Sequence, residues 1–124
     1  FGIVRVIVDD AYNSNPVGSR MAMEVLGAMK GGKRIVITPG MIELGEKQQE
    51  LNAALGGHIA ANTDVAIIVG KYNRDAICAG INAAAVKPQT HTVDTFAEAQ
   101  VLLASIVAPG DTVLYENDLP DTFK

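Results

Sequence analysis

The chain has 124 residues, of which 48% are hydrophobic, and carries a formal net charge of −4 at pH 7 with a pI near 5.0. This length and apolar content predict one domain with a single packed core. The acidic balance argues against nucleic acid as a partner, and no apolar run approaches the roughly 20 residues that span a membrane. The lone Cys78 excludes an internal disulfide and fits a reducing cytoplasm.

The chain begins at Phe1 rather than Met, and an apolar run starts two residues later. Neither a signal peptide nor an amphipathic leader is predicted from this start. We therefore expect residues 1–124 to form one domain that belongs to a longer chain.

Short β-branched runs alternate along the chain with segments of helical period, which is typical of βα units around a parallel sheet. Strands are predicted at residues 4–9, 34–38, 65–69, 91–93 and 112–115. Helices are predicted at residues 17–30, 46–62, 73–85 and 99–106. The predicted fold class is therefore α/β, a Rossmann-like three-layer domain with a mostly parallel five- or six-stranded sheet.

The first predicted helix can be capped by Asn15 or Ser14 and closed by Gly31-Gly32. Its expected buried face carries, at helical spacing, Met21, Val25, Leu26 and Met29.

Two other helices carry local signals. Gly56-Gly57 lowers helix propensity within the second helix and indicates a close helix contact. Thr95 and Glu98 form a capping box ahead of the fourth helix.

Polar loops follow nearly every predicted strand. In parallel α/β sheets the ligand crevice lies beyond the carboxyl ends of the strands, so the loops at residues 9–16, 38–45, 70–73, 94 and 116–121 form one surface. The first is the richest, because it combines a carboxylate, a phenol, two carboxamides and a hydroxyl. We expect this edge of the sheet to carry the function.

Several known motifs are absent from the sequence. It contains neither the Gly-x-x-x-x-Gly-Lys-Ser/Thr phosphate loop nor the Gly-x-Gly-x-x-Gly dinucleotide fingerprint, so a complete nucleotide site is not predicted. Zinc-ligand spacing and a recognisable Ser-His pair are absent too, which disfavours a structural zinc and a hydrolase.

Two loop sequences carry a family resemblance. Asp10-Ala11-Tyr12-Asn13-Ser14-Asn15-Pro16 resembles the Asp-Ala-Tyr-Asn-Ala-Asn-Pro motif that opens the C-terminal domain of the MurF branch of the Mur ligases, the UDP-N-acetylmuramoyl-tripeptide:D-alanyl-D-alanine ligases. Pro39-Gly40-Met41-Ile42-Glu43-Leu44-Gly45 is similar to the Gly-Asp-Met-x-Glu-Leu-Gly of that branch, with Pro39-Gly40 in place of Gly-Asp.

This resemblance implies an ATP-dependent amide-forming ligase of peptidoglycan synthesis, and hence of cell-wall biogenesis, cell shape and cell division. Its partners would be a UDP-muramyl peptide and an amine or dipeptide, joined through an acyl phosphate. ATP and Mg²⁺ would be bound mainly by a central phosphate-loop domain of the same chain. This C-terminal domain would act as a lid and would be inactive by itself.

By the same resemblance, Asp10 would approach the ribose of the nucleotide and Tyr12 the base. Substrate would contact several further residues, none of them catalytic: Asn13, Ser14, Asn15, Glu43, Glu116, Asn117 and Asp118. Two simpler roles stay open, because Asn15 also suits a helix N-cap and Glu43 suits the positive end of the next helix.

The last loop departs from the family. Where the branch has Lys-Gly-Ser-Arg, this chain has Glu116-Asn117-Asp118-Leu119-Pro120-Asp121, which replaces cations by carboxylates and reverses the local field. Glu116 and Asp118 could hold the ammonium end of a substrate or a magnesium ion, or the acidic turn could only end the fold.

Two other functions stay open. The acids Asp9-Asp10 after the first strand allow a receiver-like signalling module of flavodoxin-like fold, although the third strand ends in Val69-Gly70-Lys71 without a phosphoacceptor aspartate. A non-catalytic interaction domain that keeps the ligase fold is the other possibility.

Overall fold

The computed structural model describes residues 3–9 and 15–116, in which strands and helices alternate as predicted. The strands are β1 Arg5–Asp9, β2 Arg34–Thr38, β3 Val65–Val69, β4 Gln89–Val93 and β5 Thr112–Glu116. The helices are α1 Pro16–Gly27, α2 Gln48–Asn62, α3 Arg74–Asn82 and α4 Phe96–Ile106. A short 3-10 helix, Gly45–Lys47, leads into α2.

The described strands form one parallel sheet in the order β1-β5-β2-β3-β4. The connections from β1 to β4 all run in one direction across the sheet, and the connection from β4 to β5 runs back. Because such crossovers are right-handed, the first three helices share one face and α4 takes the other. The predicted α/β class with a parallel sheet between two helical layers is confirmed.

Two apolar cores, one on each face, hold the layers together. On the face of α1, α2 and α3, the core contains Met23, Leu26, Leu55, Ile59, Ile77, Ile81, Val36, Ile68 and Leu114. On the face of α4, it contains Ala99, Ile35, Ile37, Val65, Ile67, Val69 and Val113. All five positions of β3 are buried, as its continuous apolar run predicted.

The strand order does not fit a receiver-like module. Flavodoxin-like sheets have the order 2-1-3-4-5, in which the first strand is internal. Here β1 pairs with β5 at one end of the described sheet. Its Ile7 packs on the α1 face, whereas Val6 and Val8 on the opposite face are exposed.

The prediction for α1 was partly wrong. Its buried residues are Ser19, Met23 and Leu26, whereas Met21 and Val25 are 61% and 49% exposed. The helix also ends at Gly27 rather than at residue 30, because the N–H of Met29 turns back to the carbonyl of Leu26 in a tighter i, i+3 bond.

Other boundaries moved by one to three residues. α3 ends at Asn82 rather than at residue 85, and α4 begins at Phe96 rather than at residue 99. α2 runs unbroken through Gly56-Gly57, and β4 begins two residues before the predicted residue 91.

The N-cap half of the predicted capping box is confirmed, since Oγ1 of Thr95 accepts a hydrogen bond from the backbone N–H of Glu98 at 3.1 Å. The Glu98 carboxylate accepts from the Thr95 hydroxyl at 3.2 Å. None of the described helices is long and apolar enough to cross a membrane.

Candidate functional site

The strand order brings three loop origins together at the carboxyl edge of the sheet. β5 lies between β1 and β2, with Glu116 opposite Asp9 and Tyr115 opposite Ile37. The first motif loop therefore starts beside the end of β5 on one side, and the second motif loop starts on the other. The ends of β1, β2 and β5, which are far apart in sequence, therefore share one edge of the sheet, as predicted for parallel strands.

In the first motif, Asp10, Tyr12, Asn13 and Ser14 lie outside the described residues, as do Asn117 and Asp118 of the last loop. Asn15 is described and caps α1: its Oδ1 accepts a hydrogen bond from the N–H of Gly18 at 2.8 Å. Its backbone is extended, and Pro16 follows as the first helical residue. The capping role of Asn15 is therefore confirmed.

The second motif loop, residues 38–45, has an unusual backbone. Gly40 and Gly45 have φ values of +84° and +61°, and Glu43 has a φ of +62°. Left-handed backbone is costly for a residue with a Cβ and persists where the surroundings hold it. Glu43 is exposed on this loop, between the buried Met41 and the start of α2.

Three side chains hold this loop, and we name Gln48, Asn52 and Asn73 the carboxamide network. The carbonyl oxygen of Met41 accepts hydrogen bonds from Nε2 of Gln48, from Nδ2 of Asn52 at 3.0 Å and from Nδ2 of Asn73 at 3.0 Å. Oδ1 of Asn52 accepts from the N–H of Met41 at 2.8 Å.

The network also reaches the ends of the loop and closes on itself. Nδ2 of Asn73 donates to the carbonyl of Pro39 at 3.1 Å, and Oε1 of Gln48 accepts from the N–H of Leu44 at 3.1 Å. Oδ1 of Asn73 accepts from Nε2 of Gln48 at 2.8 Å. The loop after β2 is thereby tied both to α2 and to the loop after β3.

Sequence reasoning missed this network, although a signal was present. Asn52 lies three, four and seven residues before Leu55, Gly56 and Ile59, which places a carboxamide on the buried face of α2. A buried carboxamide needs hydrogen-bond partners, so its position predicts a network of this kind.

Glu116, at the end of β5, is fully buried. Its Oε1 accepts a hydrogen bond of 2.7 Å from Oγ of Ser19, in the first turn of α1. The contact fastens the start of α1, and with it the end of the first motif loop, to the end of β5.

Two cations follow β3 and have different surroundings. Lys71 is exposed at the carboxyl edge. Arg74 instead donates through Nη2 to the carbonyl of Val93 at 3.1 Å and to Oδ1 of Asp94 at 3.0 Å. Arg74 therefore joins the loops after β3 and β4.

Two carboxyls with lowered pKa values, those of Asp64 and Asp111, lie at the opposite, amino edge of the sheet. A hydrogen bond from the guanidinium of Arg34 holds the pKa of Asp64 below its usual range. Burial acts to raise the pKa of Asp111, but hydrogen bonds from Lys33 and from the N–H of Ala108 outweigh it, so this pKa is also lowered. These groups stabilise the fold far from the candidate site.

Comparison with known proteins identifies the class. The family model of the Mur ligase glutamate ligase domain matches residues 2–115. The chain therefore belongs to this family of C-terminal ligase domains, as its loop motifs indicated.

Two solved structures have a similar fold. The MurF ligase from Thermotoga maritima in complex with ADP superposes with a TM-score of 0.70 at 22% identity, covering 90% of this chain and 25% of that one. MurF from Acinetobacter baumannii superposes with a TM-score of 0.66 at 22% identity, covering 86% of this chain and 23% of that one. The chain thus spans about a quarter of the length of these ligases and has a MurF-like fold.

Proposed function

We propose that residues 1–124 are the C-terminal substrate- and nucleotide-closing domain of a longer, cytoplasmic ATP-dependent ligase of peptidoglycan precursor synthesis. The observation that carries this proposal is the position of the two motif loops, which start on either side of β5 at one edge of the sheet. Family membership supports it. A domain that presents one polar edge suits closure over ligands held by a neighbouring domain.

The reaction we propose is amide formation between a UDP-muramyl peptide and D-alanyl-D-alanine or a related amine. In this reaction the peptide carboxylate takes the γ-phosphoryl group of ATP to give an acyl phosphate and ADP, the neutral amine attacks the acyl carbon, and phosphate and a proton leave. This sequence has no phosphate-loop motif, so it does not fit a complete ATP and Mg²⁺ site, and we assign both mainly to a central domain of the same chain. The role of this domain is to position the substrates and exclude water.

Asp10 and Tyr12 are the residues we propose for the nucleotide. For substrate we propose Asn13, Ser14, Asn15, Glu43, Glu116, Asn117 and Asp118. Glu43 is exposed at the carboxyl edge, which supports its assignment. The side-chain oxygen of Asn15 already accepts a hydrogen bond from Gly18, and one carboxylate oxygen of Glu116 accepts one from Ser19. Both residues would therefore also hold the carboxyl edge of the sheet in place.

The acidic last loop bears on the amine. The sequence of this loop, with Asp118 and Asp121 after the buried carboxylate of Glu116 at the end of β5, favours an ammonium group and disfavours a carboxylate nearby. We therefore propose that the ammonium end of the acceptor faces this loop, with its carboxylate directed elsewhere.

The test uses the full-length protein that contains this domain. ADP release should require both a UDP-muramyl peptide and an amine, and the 124-residue chain by itself should release none. Glu43→Ala should lower kcat/KM by about tenfold, since it removes one charged substrate contact. Glu50→Ala, which truncates an exposed glutamate in the first turn of α2, is the matched control and should leave the rate unchanged.

Two outcomes would count against the proposal. If the full-length protein turned over no ATP with any muramyl peptide and amine tested, the ligase function would be wrong. If Asp10→Ala and Asn13→Ala left full activity, a non-catalytic interaction domain would be the better description of this chain.

A further inference from the structure

We propose that the carboxamide network is a positioning device, which presets the loop at residues 38–45 so that Glu43 meets the amine substrate. This inference rests on the function proposed above and adds residues that neither loop motif contains. Gln48, Asn52 and Asn73 do not touch substrate in this proposal. They act through the loop backbone.

The bonding pattern supports a positioning role. The network satisfies main-chain groups at three points of the loop: the carbonyl of Pro39, both polar groups of Met41 and the N–H of Leu44. Glu43 lies between the last two of these points. Its backbone therefore joins two segments that are each held by side-chain hydrogen bonds.

Burial protects these hydrogen bonds from competition by water. Asn52 is fully buried and Asn73 is 4% exposed, so water does not compete for their hydrogen bonds. Apolar side chains at the same positions would fill the space but would leave the loop carbonyls without these donors. The carboxamides thus fix where the loop backbone lies as well as filling the core.

Close packing fixes the loop further. A Cβ built on Gly40 would lie 2.7 Å from Oδ1 of Asn52 and 2.9 Å from Cβ of Asn73, so the backbone sits directly against the network. The left-handed backbone at Glu43, φ +62°, is then held by its neighbours rather than by its own preference. Loss of the network should let this residue relax and move the carboxylate.

The test is a double-mutant cycle in the full-length enzyme, with kcat and KM measured while the amine is varied and again while ATP is varied. Asn73→Ala removes the donors to Pro39 and Met41 and should raise the KM for the amine about tenfold, with little change in the KM for ATP. Glu43→Ala should have a similar effect. The double variant Glu43→Ala/Asn73→Ala should be about as impaired as either single variant, because both act through one carboxylate.

Asn82→Ala is the matched control. Asn82 lies at the other end of α3, is exposed, and makes no side-chain hydrogen bond to any part of the chain that the structure describes. It should retain both KM values. Gln48→Glu is the second variant, because it keeps the acceptor for the N–H of Leu44 but replaces the donor to Met41 and Asn73 by an oxygen that repels both acceptors.

The outcomes separate the two proposals. A wild-type enzyme without amine-dependent ATP turnover would overturn the proposed function, and this inference with it. An active wild type in which Asn73→Ala keeps a normal KM for the amine, or in which the single effects multiply to about a hundredfold in the double variant, would overturn only the positioning role. If Asn73→Ala does not fold by circular dichroism, Gln48→Glu decides by the same cycle, and failure of both to fold would overturn the inference.

Discussion

Gly56 and Gly57, adjacent in α2, should respond in opposite directions to replacement by alanine. A Cβ built on Gly56 would lie 2.1 Å from the carbonyl oxygen of Ile77 in α3, and one on Gly80 of α3 would lie 1.9 Å from the carbonyl of Ala53. The two helices are therefore in backbone contact. No atom of a neighbouring element in the described structure lies within 4 Å of a Cβ built on Gly57.

The magnitudes follow from these contacts. The obstacle at Gly56 is a backbone carbonyl, which cannot rotate away, so the helices would have to separate by roughly 1 Å to restore a normal contact. Overpacking of this kind costs about 3 kcal/mol, and the better helix propensity of alanine returns about 1 kcal/mol. We expect Gly56→Ala to lower the free energy of unfolding by about 2 kcal/mol, and Gly57→Ala to raise it by about 0.5–1 kcal/mol.

The measurement is urea denaturation followed by far-UV circular dichroism. For a chain of this size, a difference of about 3 kcal/mol between the two variants separates their midpoints by more than about 1 M urea. A Gly56→Ala variant as stable as Gly57→Ala would refute the close α2–α3 packing.

Three further predictions concern stability and are read by the same denaturation. Asp64 and Asp111 have folded pKa values below their ordinary value near 3.8, so the unfolded chain binds more protons in acid and the free energy of unfolding should fall as the pH drops toward that value. Asp64→Asn should weaken this pH dependence. A variant whose free energy of unfolding falls as steeply as that of the wild type between about pH 7 and about pH 3 would contradict the prediction. Ser19→Ala removes the donor to the buried carboxylate of Glu116 and should cost about 2 kcal/mol; a cost under about 0.5 kcal/mol would mean that the bond is not needed. Thr95→Ala removes the cap of α4 and should cost about 1 kcal/mol, whereas Thr95→Ser should be near neutral; equal losses in both would argue against capping.

Local signals predicted most of the fold. The run at β3 is apolar at every position, and such a run is stable only where helices cover both faces of a strand. Thr95 and Glu98 mark a helix start by a bond within three residues, so this signal can be read from the sequence alone. Each of these signals lies within one short segment of the sequence.

The predictions that were wrong or missing concern features fixed by contacts between residues distant in sequence. In α1, the apolar positions allow two overlapping faces, and the sheet selects the one with Met23 while leaving Met21 exposed. Periodicity alone does not rank the two faces, because the choice depends on the angle at which the helix meets the sheet. The carboxamide network was not predicted for a similar reason: Asn52 and Asn73 are in contact only because α2 packs against the loop after β3.

The position of β5 between β1 and β2 is the feature of the sheet on which the candidate site depends. β5 separates the ends of β1 and β2 by one strand and pairs with both, so it fixes their spacing at the carboxyl edge. β5 also ends in Glu116, whose hydrogen bond with Ser19 fastens the start of α1 to the same strand. The last described strand of the chain thus completes an edge that the first two strands begin. A change that weakens β5 should therefore impair the site through both motif loops together, even where it touches neither.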